Sequence, residues 1–216
     1  MSGIAESPRI GFFSLPPELR NMIYKLLLVP AVPITIKIHE KSGLCTREGE
    51  WPGGHTLLRV NRQMQYEASA MLYGQNEFLI PYGPGTVHSF LTLVGPVNAS
   101  QILRLSIDLP ITDTFDQPDQ PGQLKPREED LVELRLIQEM CPSLQEIYLE
   151  IEFIYQDNLR LNSDVEDPFM MVGYFPRINA VLSAMASLHD ISVYSTWNIY
   201  SEVVEAMEEL GWRAVD

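Results

Sequence analysis

The sequence predicts an α+β fold in which a mainly helical N-terminal unit with a small β-hairpin packs on an irregular layer of alternating strands and helices. Three observations carry this expectation. Apolar residues recur at helical spacing over 17–28 and 56–74, and they alternate with period two over 33–39, 102–109 and 144–153. Strand-like segments of the second half also return at a near-constant interval, each followed by a helical pattern. With 216 residues, 45% hydrophobic and 20% charged, the chain can bury a core without disulfides or metal.

The first helix starts at Pro16 or Pro17, since proline suits a first helical turn, and Glu18 lies where the helix dipole favours a carboxylate. Leu19, Met22, Ile23, Leu26 and Leu27 have the spacing of one buried face, with Tyr24 and Leu28 as a second stripe beside it. Arg20, Asn21 and Lys25 are left as a narrow polar edge, so the helix carries apolar surface for two contacts. Pro30 and Pro33 end it. Residues 33–39 then alternate as a strand, and 40–55, rich in Gly, Pro and charge, reads as a surface loop.

Thr56 is placed to cap a helix running to Gly74, with Leu57, Val60, Met64, Ala68 and Met71 on one face. Residues 76–82 form a short strand to pair with the first, so that Phe78 and Ile80 extend its apolar surface. Thr86 caps a short helix carrying Val87, Phe90, Leu91 and Val94, ended by Gly95-Pro96. These features divide the chain into a unit over 12–82 and a strand-and-helix layer over 86–216.

In the layer, Leu103, Leu105, Ile107 and Leu109 share a strand face, as do Ile147, Leu149, Ile151 and Phe153, then Ile191 and Val193. Leu103 to Ile147 and Ile147 to Ile191 are both 44 residues, an internal period. Helical patterns at 127–140, 176–187 and 200–210 follow the strands, which implies right-handed crossovers and a mainly parallel sheet. Leu144-x-x-Ile147-x-Leu149 and Leu188-x-x-Ile191-x-Val193 carry leucine-rich spacing over a longer unit, so an irregular leucine-rich-like layer is expected.

No catalytic, metal or cofactor constellation stands out. His39, His55, His88 and His189 are scattered without ligand spacing, and Gly53-Gly54 and Gly83-Pro84-Gly85 lack the rest of a phosphate cradle. Cys45 and Cys141 are far apart and expected to be free thiols. The termini and hydropathy suggest neither a leader nor a membrane span, so a cytoplasmic or nuclear location is expected.

Charge is uneven. Residues 1–100 hold 8 Lys/Arg against 7 Asp/Glu, and residues 101–216 hold 7 against 22, for a net −14 overall. Such a chain repels phosphate backbones, and the two arginines Arg59 and Arg62 beside Tyr66 and Tyr73 are too few to offset this. Glu128-Glu129-Asp130 fits a helix N-terminus. Glu146, Tyr148, Glu150 and Glu152 project from one side of a strand: either a solvated face or one awaiting a basic protein partner.

Ser14-Leu15-Pro16-Pro17-Glu18-Leu19-Arg20-Asn21-Met22-Ile23-Tyr24, then Leu57-Leu58-Arg59-Val60-Asn61-Arg62-Gln63 with Tyr66-Glu67-Ala68, then Leu72-Tyr73-Gly74 and Asn76-Glu77-Phe78, resemble the fungal F-box-like proteins. The likeness covers roughly residues 12–80. It implies a non-catalytic adaptor that docks on a Skp1-type adaptor and offers its second half to a substrate of a cullin-RING ubiquitin ligase. The docking positions it implies are Leu15, Pro16, Leu19, Ile23, Leu27 and Val60. One stripe of the first helix would pack on the chain and the neighbouring one would meet the partner. Alternatively, the second stripe packs on Ile34, Ile36 and Phe78, and the chain is a stand-alone interaction or scaffold protein.

Overall fold

The described strands, five of them with period-two alternation, pair into one seven-stranded sheet in which all strands but one run parallel. The computed structural model describes residues 11–39, 44–47, 54–81, 83, 85–108, 126, 128–151, 175–195 and 201–215. The strands are β1 (Ile34–His39), β2 (Leu44–Arg47), β3 (Glu77–Ile80), β4 (Arg104–Asp108), β5 (Glu146–Ile151), β6 (Asp190–Ser195) and β7 (Arg213–Val215). Their spatial order is β2-β1-β3-β4-β5-β6-β7, so from β3 onward it follows the chain. Only β2 is antiparallel.

The helices are α1 (Pro17–Leu28), α2 (Arg62–Gln75), α3 (Thr86–Val94), α4 (Pro96–Ala99), α5 (Glu128–Met140), α6 (Phe175–Leu182) and α7 (Ser201–Glu209). Parallel strands in chain order, joined by right-handed crossovers, put their connecting helices on one face. Accordingly, Val87, Phe90 and Leu91 of α3, Leu134 and Ile137 of α5, Ile178 and Leu182 of α6 and Val203 and Met207 of α7 join one core cluster. The inward strand residues of that cluster are Ile34, Ile36, Phe78, Ile80, Leu105, Ile107, Ile147, Leu149 and Val193. A second, smaller cluster joins Tyr24 and Leu28 of α1 to Met64, Ala68 and Met71 of α2.

Several expectations change. The hairpin partner of β1 is β2, which lies inside the stretch expected to be loop, with Ile36 opposite Arg47 and His39 opposite Leu44. Four residues of strand flanked by glycine and charge are too short for a period-two signal. The segment from residue 76 does pair with β1, but in parallel, with Ile34 beside Phe78. The division at residues 82–86 falls between β3 and β4, which are neighbours in the sheet. Leu105 pairs with Ile147 and Ile147 with Ile191, so the repeat is 42 residues and then 44. Leu103 is half-buried ahead of β4, and its carbonyl accepts from the amides of Gln145 and Glu146.

Helix ends differ in their chemistry. Asn61, not Thr56, caps α2: its Oδ1 accepts from the Met64 amide at 2.9 Å, and 54–59 is a 3-10 turn. Gly85, not Thr86, is the cap of α3, and its φ of 74° is one that glycine adopts without strain. Gly95 has a φ of 76°, which breaks α3 from α4 while Pro96 opens the latter. The final strand β7 was outside every sequence expectation. It is anchored by Trp212, 2% exposed, whose Nε1 donates to Asn179 Oδ1 at 3.0 Å and whose ring meets Phe175 edge-on at 5.5 Å. Leu109 and Phe153, expected in strands, lie outside the described residues.

Candidate functional site

Two surfaces stand out, one on α1 and one on the sheet face away from the helices. On α1 the buried residues are Arg20, Tyr24 and Leu28, four apart and therefore on one face. This corrects the sequence expectation in which Arg20 belonged to the polar edge and Tyr24 and Leu28 to a spare stripe. Tyr24 and Leu28 are both 0% exposed and pack on α2, not on Ile34, Ile36 and Phe78, which belong to the other cluster.

Arg20 is admitted to this face because its guanidinium is satisfied. Nε donates to Glu67 Oε2 at 2.9 Å, Nη2 to Glu67 Oε1 at 2.7 Å and Nη1 to the Leu15 carbonyl at 2.7 Å. The fork geometry suits a planar guanidinium and a carboxylate. Tyr24 Oη donates to Glu67 Oε2 at 3.0 Å, and Gln63 Nε2 to Glu67 Oε1 at 3.0 Å. The hydrogen bonds from Arg20, above all, hold the Glu67 carboxyl down to about 2, although burial opposes them. Burial first, and then its bond to Glu67, pushes the Tyr24 phenol up to about 12. Asn76, 3% exposed, donates from Nδ2 to the carbonyls of Leu28 at 2.9 Å and Leu72 at 2.7 Å, which ties the end of α1 to α2. Arg20, Tyr24, Gln63, Glu67 and Asn76 of the quoted motif blocks are thus engaged in hydrogen bonds within the chain.

Of the stripe expected to be buried, Leu19, Met22 and Leu26 are left open, and Ile23 and Leu27 are half-buried. Leu19 is 45%, Met22 62% and Leu26 81% exposed, and spacing of three and four brings them onto one side of α1. Of the docking positions implied by the resemblance, Pro16, Leu19 and Val60 are exposed, and Leu15, Ile23 and Leu27 are half-buried. Leu27 also packs against the α1–α2 cluster. Met22 and Leu26, which are not among the positions the resemblance implies, are exposed on the same side of α1 as Leu19, and equal apolar spacing cannot say which of two stripes faces the chain.

On the sheet, the residues that alternate with the core point away from the helices and align in rows. One row is Glu77, Arg104, Glu146 and Asp190; the next is Leu79, Ser106, Tyr148, Ser192 and Arg213; the third begins Asp108, Glu150 and Tyr194. Glu146, Tyr148 and Glu150, singled out in the sequence, thus stand together on β5, while Glu152 lies outside the described residues. Tyr148 Oη donates to Glu146 Oε2 at 3.0 Å. Burial, and then the carboxylate that accepts its proton, raises the Tyr148 phenol above its ordinary value. Burial also raises the Glu77 carboxyl, with Glu146 adding to the effect and Arg104 opposing it.

The remaining candidates separate. Tyr66 is 76% exposed, whereas Tyr73 stacks on Phe78 at 5.8 Å, so the arginine-tyrosine group of α2 does not form one patch. His88 and His189 are exposed. Cys141 is a free thiol, and burial pushes it up to about 12. Beyond the carboxyl ends of β3 and β4, where open α/β sheets commonly hold ligands, a cavity between Ile80, Thr86, Ile107 and Leu134 has a volume of about 30 Å³. No helix among the described residues is long and apolar enough to cross a membrane. Comparison of the chain with family models, curated proteins and solved structures finds no match.

Proposed function

We propose that the chain is a non-catalytic protein-interaction adaptor that docks a partner through the open stripe of α1. The observation that carries this reading is Leu19, Met22 and Leu26 at 45%, 62% and 81% exposure on a helix whose opposite side is already filled by Tyr24 and Leu28. Three large apolar side chains aligned along a helix are the kind of anchors that a hydrophobic groove takes up. The resemblance to F-box-like proteins makes a Skp1-type adaptor the partner to test, with the chain as the substrate-recognition subunit of a ubiquitin ligase.

The test is co-elution of purified chain with a recombinant Skp1-type adaptor on size exclusion. Wild type should co-elute, and Met22→Asp with Leu26→Asp should elute alone with an unchanged far-ultraviolet dichroism spectrum. A wild-type chain that never co-elutes sinks the ubiquitin-ligase assignment. A second reading is a stand-alone scaffold with an F-box-like fold, and a specific observation favours it: Arg20, Tyr24, Glu67, Asn61 and Asn76 of the motif blocks are all used internally. The blocks then report how α1 and α2 are held together, and a partner for the stripe would be of another kind.

A further inference from the structure

The open stripe of α1 is nearly symmetric about its middle residue. Leu19 lies one turn before Met22 and Leu26 one turn after it, and all three are exposed. At about 100° per residue, Glu18 and Lys25 fall within about 20° of each other on one flank of the stripe, and Ile23 and Leu27 lie on the other. Glu18 and Lys25 are both exposed, while Ile23 and Leu27 are half-buried. Arg20, the other cation of α1, is forked on Glu67 across the helix. The flank therefore carries a negative charge near its start and a positive one near its end.

Such a surface is its own complement. A two-fold axis lying across two facing helices reverses the chain direction and keeps each flank beside the same flank of the copy. With that axis at Met22, Leu19 meets Leu26 of the second copy, Met22 meets Met22, and Glu18 comes beside Lys25 at both ends. A parallel pairing sets the charged flank against Ile23 and Leu27 instead and leaves both charges unmatched. Net charge does not oppose contact at this end of the chain: residues 1–100 hold 8 Lys/Arg against 7 Asp/Glu, and the acidic excess lies in residues 101–216.

We propose that the free chain pairs with a second copy of itself through antiparallel α1 helices, and that this pairing and the docking of an adaptor exclude each other. The choice of occupant follows from the match of Glu18 to Lys25 and of Leu19 to Leu26 under one symmetry operation. A helix of 12 residues against its copy offers less than the roughly 1,200 Å² of a stable specific interface. The pair is therefore weak, with half-saturation on the order of 100 µM, and the chain is a monomer at low micromolar concentration. An adaptor that encloses the stripe in a groove displaces the copy. The inference rests on reading the α1 stripe as a docking surface and adds what occupies that surface before the adaptor does.

The test is sedimentation velocity of the purified full chain from about 5 to about 500 µM in about 0.1 M salt. Wild type should pass from monomer to dimer, and Met22→Asp with Leu26→Asp should stay monomeric. Glu18→Lys alone and Lys25→Glu alone each set like charges at both flank contacts and should weaken pairing about tenfold. An equimolar mixture of these two single variants restores opposite charges at both contacts and should dimerise about as well as wild type. Both positions are exposed, so the dichroism spectrum of each variant should match that of wild type. The proposal is overturned by a wild type that stays monomeric, by a mixture no better than either variant alone, or by a Met22→Asp with Leu26→Asp chain that still dimerises. Dimerisation without adaptor co-elution sinks only the ubiquitin-ligase assignment, and adaptor co-elution by a chain that stays monomeric sinks only this inference.

Discussion

At the scale of single residues, Glu67 explains why α1 lies on α2 as it does. One carboxylate accepts from Arg20, Tyr24 and Gln63, and a charged acceptor so surrounded holds its proton weakly. Because its folded value of about 2 lies below the unfolded carboxylate range near 4.3, its contribution is present in full above that range and is lost as pH falls through the folded value. Melting temperatures of wild type and Glu67→Gln should therefore differ most above about pH 5 and converge as pH approaches about 2. A difference that stays constant over that window contradicts the assigned role. None of this network was legible in the sequence: Arg20 and Glu67 lie 47 residues apart, and periodicity counts a buried arginine as polar edge.

The elements themselves were more legible where patterns were long. Helices α5, α6 and α7 lie close to where apolar spacing put them, and Leu131, Leu134, Ile137, Ile178, Val181, Leu182, Val203 and Met207 line their buried sides. The crossover logic that turned repeated strand-and-helix patterns into a parallel layer also held. What stayed hidden was short or set by partners far away in sequence: β2, and β7, whose three residues carry no pattern of their own. Strand β7 depends on Trp212 packed against Phe175 of α6. Trp212→Ala should cost about 3–5 kcal/mol, read as a lowered denaturation midpoint. A loss below about 1 kcal/mol would mean that Trp212 is not a core anchor.

For the whole molecule, a single sheet runs through both parts that the sequence patterns had set apart, and among the described residues α3, α5, α6 and α7 pack into one core with its inward strand residues. That arrangement leaves α1 with a spare apolar stripe at one end and an acidic, tyrosine-bearing face along β4–β6. The sequence revealed that α1 carried two apolar stripes and that Glu146, Tyr148 and Glu150 stood together. It did not reveal which stripe was spare, because that depends on where α2 lies. The most direct test of the account is thermal unfolding of Leu26→Asp against Leu28→Asp in the isolated chain. Leu26 is 81% exposed and Leu28 0%, so the first variant should melt within about 2 °C of wild type, as a surface change does, and the second should melt far lower. If Leu26→Asp destabilises the chain as much as Leu28→Asp, the stripe is part of the packing and has nothing left to offer a partner.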